Sequence, residues 1–163
     1  MSPTGDREPV LVSACLLGVP CTYRGTDERD DDLLRRLDDR PVIPVCPEAA
    51  GGLGIPRPRC EIEGGDGTAV LDGRSRVVDD HGHDHTDAYL RGAHVALDAA
   101  RRAGARLAVL KDRSPSCGSA GVYDGTKTKT LRPDGVGVTV ALLRRHGIDV
   151  VTEHGAGPAL GGD

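Results

Sequence analysis

Short apolar runs recur along the chain, and each is followed by a stretch rich in glycine, proline or polar residues. Val10-Leu11-Val12, Val42-Ile43-Pro44-Val45 and Leu107-Ala108-Val109-Leu110 are continuous rather than alternating. Runs this short and this uniformly apolar predict strands buried on both faces. Strands are thus expected over 9–14, 41–45 and 105–110, with a last one over 148–152. Between them the apolar period changes to that of a helix. Leu33, Leu34 and Leu37 form a stripe behind a run of aspartates, which suit the positive end of a helix dipole. This predicts a helix over 30–39. Ala88, Leu90, Ala93, Val95, Ala96, Leu97 and Ala100 predict a long helix over 84–103, with Asp84 or Thr86 as N-cap and Gly104 as C-cap. A third helix is expected over 136–146. Residues 61–78 alternate weakly around Gly-rich turns and predict a β-hairpin, and 121–123 suit a short strand. Residues 1–8 and the tail from 153 are expected to be loose.

Strands separated by helices imply right-handed crossovers and a parallel sheet. The expected fold is α/β: a single Rossmann-like domain over 1–163 with an ordered core of about 9–154. Its mainly parallel sheet is flanked by helices, with a small β-hairpin excursion. The 163 residues show no internal repeat and no composition shift.

Composition narrows the core and the partner. Hydrophobic residues make up 37%, with no Phe, no Trp and three Tyr, so Val, Leu, Ile and Ala must build the core. The net charge is -4 and no Lys/Arg-rich run occurs. Duplex binding needs a basic patch, and single-strand binding needs aromatic platforms. A polymeric nucleic acid is therefore not expected, and a small-molecule substrate is. The first nine residues lack a signal-peptide core, and no apolar run reaches the ~18 residues of a membrane span. The expected location is the cytoplasm.

In that reducing compartment, five cysteines point to metal binding or catalysis rather than to a disulfide framework. Cys15, Cys46 and Cys117 each follow a predicted strand, where open α/β sheets hold their ligands. If those strands are parallel neighbours, three thiols converge. Their wide separation in sequence excludes a local zinc knuckle, which needs two close cysteine pairs. A shared metal or iron–sulfur site, a set of buried structural thiols, and a catalytic thiol all remain open. Cys21 suits a supporting or packing role, and Cys60 a structural one. Glu48, two residues beyond Cys46, is placed to move protons or is an ordinary loop glutamate. Ser114 and Ser116 are possible donors or turn-forming hydroxyls around Pro115. The tract His81-Gly82-His83-Asp84-His85 looks like metal ligands but also suits a solvated helix start. Gly64-Gly65-Asp66-Gly67 lacks the strand-to-helix context of a phosphate loop.

Several blocks together resemble the 2-thiouracil desulfidase family of small bacterial proteins. They are Ser13-Ala14-Cys15-Leu16-Leu17-Gly18 with Cys21 and Tyr23, and Val45-Cys46-Pro47-Glu48 with Gly51-Gly52-Leu53 and Pro56-Arg57. Further along come Asp84 and Thr86, Leu110-Lys111 before Ser114-Pro115-Ser116-Cys117-Gly118, Tyr123-Asp124-Gly125 and Gly137-Val138-Thr139. The resemblance spans about residues 9 to 154. It implies a Rossmann-like fold and a [4Fe-4S] cluster held by three cysteines, by motif Cys15, Cys46 and Cys117. It also implies non-redox removal of sulfur from a thiolated pyrimidine, with sulfide captured on the fourth iron. Glu48 and Ser114 stand at motif positions expected to assist. Arg24, Lys127 and His85 depart from the residues usual there (Asp, Phe and Val), which bears on the substrate more than on the cluster. The rival expectations are a non-catalytic cluster- or metal-binding module for redox sensing or assembly, and a metal-free hydrolase with Cys117 as nucleophile.

Overall fold

The computed structural model describes residues 8–128 and 130–160. The expected disorder of the first residues therefore lies mostly outside the described part. Four parallel strands form the central sheet: β1 (Val10–Ser13), β2 (Val42–Val45), β5 (Leu107–Leu110) and β8 (Asp149–Thr152), in the order β2-β1-β5-β8. The chain runs from β1 out to β2, then crosses back over β1 to β5. The crevice between the carboxyl ends of β1 and β5 is thus the switch point, where such sheets bind ligands.

Alternating side chains send each strand into two cores. Leu11, Ala108 and Leu110 face the long helix α4 (Thr86–Ala103) and α5 (Val138–Arg145), which supply Ala93, Ala96, Leu97 and Leu143. Val10, Val12 and Val109 face the other side, against Leu33 and Leu37 of α1 (Asp31–Leu37) and Leu160 beyond α6 (Ala156–Ala159). Both faces are covered by aliphatic side chains, as the absence of Phe and Trp required. Among the described residues no helix is long and apolar enough to cross a membrane.

The predicted elements appear with boundaries shifted by one or two residues. Gly104 closes α4 in the left-handed conformation. The helix starts at Thr86 with His85 as N-cap, and Asp84 serves by accepting a hydrogen bond from the Thr86 N–H at 2.8 Å. The Thr86 hydroxyl instead accepts from the Val77 N–H at 2.9 Å, holding the helix start against β4 (Arg76–Asp79).

Three expectations need correction. The segment 61–78 is not a simple hairpin. β3 (Cys60–Glu63) and β4 do pair antiparallel, but helix α3 (Gly67–Leu71) lies between them. Asp66 caps it, accepting from Thr68 N–H at 3.1 Å, and so organises residues whose glycines suggested only turns. Residues 153–160, expected to be loose, are also ordered. Thr152 caps a 3-10 turn over Glu153–Gly155, and Ala156 and Leu160 are buried beside α1. A Cβ on Gly157 would lie 3.0 Å from the Arg36 guanidinium, so this glycine permits close packing rather than looseness. Finally, the Gly/Pro-rich stretch over 46–60, which reads as loop, opens with a helix directly after β2: α2 (Pro47–Ala50), with Pro47 at its first position. The short strand expected over 121–123 exists as β6 (Val122–Tyr123) and pairs with β7 (Leu131–Arg132).

The helix α2 is held by backbone contact with α4. A Cβ on Gly92 would lie 1.9 Å from the Pro47 carbonyl oxygen. One on Gly51 would lie 2.0 Å from the Ala88 carbonyl oxygen. Gly92→Ala should therefore push α2 off its seat, at the cost of about 1–3 kcal/mol typical of overpacking. The expected result is a melting temperature roughly 3–10 °C lower. An unchanged melting temperature would show that the two helices separate freely.

Candidate active site

The three strand ends place the three cysteines as neighbours. Cys15 lies in the 3-10 turn Ala14–Leu17 directly after β1, and Cys46 is the N-cap of α2 directly after β2. Cys117 follows β5 in the loop containing Ser114 and Pro115. Ser13 ties two of these ends together, accepting a hydrogen bond from the Lys111 N–H at 2.9 Å. The loop holding Cys117 is tight. A Cβ on Gly118 would lie 2.8 Å from the Gly121 carbonyl oxygen, and one on Gly137 would lie 2.4 Å from the Ser116 carbonyl. These approaches explain why glycine flanks the cysteine.

All five cysteines are free, and all five line one cavity of about 590 Å³. That volume is within the range of small-molecule sites, about 300–1,000 Å³. Burial, and then the neighbouring Cys46, push the Cys15 thiol up to about 12. Burial followed by Glu48 and Cys15 pushes Cys117 far above its ordinary value. Cys21 is likewise raised to about 12 by burial and by Cys46, whose Sγ also approaches the Cys21 carbonyl oxygen at 3.6 Å. Cys60 is raised to about 11, mainly by burial, while a hydrogen bond with Tyr89 opposes the shift. As free thiols these groups are poor nucleophiles, because the reactive form is the thiolate. That weighs against a metal-free hydrolase using Cys117. A metal centre changes the balance, since coordination removes the proton.

The donor set is three cysteine sulfurs lining one cavity, two of them buried and that of Cys46 half-buried. Such soft thiolate donors suit zinc or an iron–sulfur cluster rather than a hard, oxygen-preferring ion.

Beside the thiols sits an ordered carboxylate. Glu48, in the first turn of α2, is half-buried and accepts two side-chain hydrogen bonds. Ser114 Oγ donates to its Oε2 at 3.1 Å, and Arg57 Nε donates to its Oε1 at 2.9 Å. Ser114 Oγ in turn accepts from the N–H groups of Ser116 and Cys117, at 3.0 and 3.1 Å. The hydroxyl therefore links the glutamate to the cysteine loop. Ser116 is different. Its fully buried hydroxyl is bonded to Thr139 at 2.7 Å, so it anchors the loop to α5 and is structural.

The rim of the cavity carries charge and two tyrosines. Lys111 bridges Glu153 at 2.7 Å and Asp112 at 3.0 Å. Burial pulls its ammonium down, but these carboxylates outweigh it and hold it above its ordinary range. The Arg59 guanidinium lies 4.6 Å from the centre of the Tyr123 ring and pairs with buried Glu61 at 2.7 Å. Arg24 and Tyr23 also line the cavity, and Arg24 Nε donates to the Tyr23 hydroxyl at 3.1 Å.

Two sequence features fall outside the cavity. Lys127 donates to the Val78 carbonyl at 3.0 Å and does not line the cavity. The histidine tract wraps around Asp79, whose carboxylate accepts from the N–H groups of His81 and His83 and faces His85 Nε2 at 2.9 Å. The hydrogen bond to His85 above all holds the Asp79 carboxyl well below the usual range. The tract is a staple at the start of α4. Reading by residue type alone missed Tyr89 and any role for Arg57. Tyr89 is masked inside a helix stripe, whereas Arg57, in a Pro/Arg loop next to Cys60, offered a visible if unspecific sign.

A parallel α/β sheet thus gathers three thiols, those of Cys15 and Cys117 buried and that of Cys46 half-buried, and a hydrogen-bonded carboxylate at its switch point, where enzymes of this architecture hold their ligands. The chain belongs to the 2-thiouracil desulfurase family, whose pattern matches residues 10–155. It is 39% identical over 145 residues to the uncharacterized protein YbbK of Bacillus subtilis (strain 168), covering 89% of this chain and 95% of that one. Among solved structures it is similar to the [4Fe-4S]-dependent thiouracil desulfidase TudS. The TM-score is 0.82 at 40% identity, covering 95% of this chain and 96% of the other.

Proposed function

We propose that this protein is an iron–sulfur-dependent desulfidase that hydrolyses the C–S bond of a thiolated pyrimidine such as 2-thiouracil, releasing the oxo base and sulfide. The observation that carries the reading is the meeting of Cys15, Cys46 and Cys117 in one cavity with the Glu48–Ser114 pair. Family membership and likeness to the thiouracil desulfidase support it. Cys15, Cys46 and Cys117 would hold a [4Fe-4S] cluster. When bound by three protein thiolates, such a cluster supplies an iron open to the substrate's sulfur as a Lewis acid.

The chain's own residues do the rest. The cavity encloses the base and limits bulk water. Glu48 takes a proton from the water whose oxygen adds to the thiocarbonyl carbon. Ser114, held by two backbone N–H groups, keeps the carboxylate oriented with its own O–H. As the C–S bond breaks, sulfur leaves with the bonding electron pair and the added oxygen's remaining proton as hydrosulfide, the carbon keeps the oxygen as a carbonyl, and Glu48 returns its proton to water. No net oxidation or reduction occurs, so no external electron carrier is needed. Five free thiols suit a reducing compartment, and we place the protein in the cytoplasm.

The test is anaerobic reconstitution with iron and sulfide, followed by a sulfide-release assay over a panel of thio-bases. Release by the reconstituted protein, and none by iron-free protein, is the expected result. Activity in iron-free protein that alkylation abolishes would favour the thiol hydrolase. A bound cluster with no turnover on any thio-base would favour a sensing or assembly module.

A further inference from the structure

We propose that Arg57 is a positioning residue for Glu48: its guanidinium fork aims the carboxylate into the cavity and locks that carboxylate to the loop next to Cys46. The inference rests on the desulfidase reading above and adds to it a residue with no assigned part in the reaction.

Arg57 is 94% buried at its side chain, which is 6% exposed, and Glu48 beside it is 13% exposed. Every arm of the guanidinium is engaged. Nε donates to Glu48 Oε1 at 2.9 Å, Nη2 to the Cys21 carbonyl at 2.9 Å, and Nη1 to the Gly54 carbonyl at 3.2 Å. Its own backbone N–H is fixed too, donating to the Tyr23 carbonyl at 2.8 Å. The Cys21 carbonyl that takes Nη2 is the same one that Cys46 Sγ approaches. One rigid, planar group therefore sets the direction of the Glu48 carboxylate relative to the loop that follows Cys15, whose Cys21 carbonyl also meets the Cys46 sulfur. The second carboxylate oxygen is taken by Ser114, which is fixed to the Cys117 loop. Glu48 is thus held between the loops of two proposed ligands, by Arg57 on one side and Ser114 on the other.

A lysine could place a charge near Glu48, but its point-like ammonium cannot reproduce the fork that reaches Glu48 and Cys21 at once. The contribution of Arg57 is therefore geometric, and it passes through Glu48. A bound base must meet the carboxylate at hydrogen-bond distance, and small misplacements are costly in rate.

The experiment compares Arg57→Gln, Arg57→Lys, Glu48→Gln and the Arg57→Gln/Glu48→Gln double variant, each anaerobically reconstituted. Iron content, cluster absorbance, and kcat and KM for sulfide release from 2-thiouracil are measured. Arg57→Gln should keep its iron and lose roughly 10²-fold in kcat with KM changed by less than about threefold. Arg57→Lys should recover part of that loss. The double variant should be no slower than Glu48→Gln alone, because residues acting as one unit are not additive. Wild-type kcat in Arg57→Gln overturns the inference while leaving the desulfidase reading intact. So does a double variant slower by the full product of the two single losses. Loss of iron from both Arg57→Gln and Arg57→Lys overturns it as well, making Arg57 a support of the ligand loop. Full activity in Glu48→Gln instead overturns the role of Glu48, and no turnover in the wild type overturns the desulfidase reading. Either result takes this inference with it.

Discussion

Cys117→Ser should lose iron and sulfide release together while the fold survives. Iron in such clusters takes thiolate, and a serine hydroxyl is a harder, far less acidic donor. With three protein ligands proposed there is no spare to compensate. The residue is buried, at 6% exposure, in a loop whose shape depends on other contacts. The Ser116–Thr139 bond, the Ser114 hydroxyl on two backbone N–H groups, and the close approach of Gly137 all persist in the variant. Exchange of sulfur for oxygen should therefore leave circular dichroism unchanged. Cys60→Ser is the contrast. Cys60 lines the same cavity but pairs with Tyr89 at the start of β3, on the small sheet rather than at a central strand end. That variant should retain iron and activity. An active, iron-loaded Cys117→Ser protein would remove Cys117 from the ligand set. An iron-free Cys60→Ser protein would put Cys60 in it.

Glu48→Gln should separate chemistry from cluster binding. The amide has the size of the carboxylate and still offers Ser114 an oxygen, but it cannot take a proton. Sulfide release should fall by roughly 10²-fold or more, while cluster absorbance stays near wild type. Stability should also fall, because the buried Arg57 loses its charge partner; removing one member of a buried pair is typically costly. A lower melting temperature with normal iron content is therefore part of the expected result. Turnover at the wild-type rate would make Glu48 a structural residue of α2.

Much of the frame was legible in the residues. Continuous apolar runs marked β1, β2 and β5 because strands buried on both faces carry no alternation, and the helical period of α4 was clear over its whole length. The convergence of three cysteines followed from their common place after those strands. It needed only the adjacency that the order β2-β1-β5 supplies. What stayed hidden is tertiary. The cap at Asp66 turns a Gly-rich stretch into α3, and α2 exists because Gly92 lets a backbone carbonyl approach α4. Residues 153–160 are ordered because Ala156 and Leu160 find an apolar face beside α1, which no local pattern announces. In the site, Glu48 and Ser114 were picked out singly by residue type, but their hydrogen bond joins positions distant in sequence. The guanidinium that completes the arrangement sits in a loop whose prolines and arginines have no period to read. The histidine tract was the opposite case: a conspicuous sequence signal that the fold uses to bind Asp79.

The most direct test of the account is a product balance. Anaerobically reconstituted protein, with iron and acid-labile sulfide near the four per chain of one cubane, is given 2-thiouracil without any electron donor or acceptor. Uracil and sulfide are then counted against substrate consumed. One uracil and one sulfide per thiouracil, with the cluster spectrum restored at the end, is the predicted result. Sulfide that appears only with an added reductant, or an equal yield from iron-free protein, would contradict it.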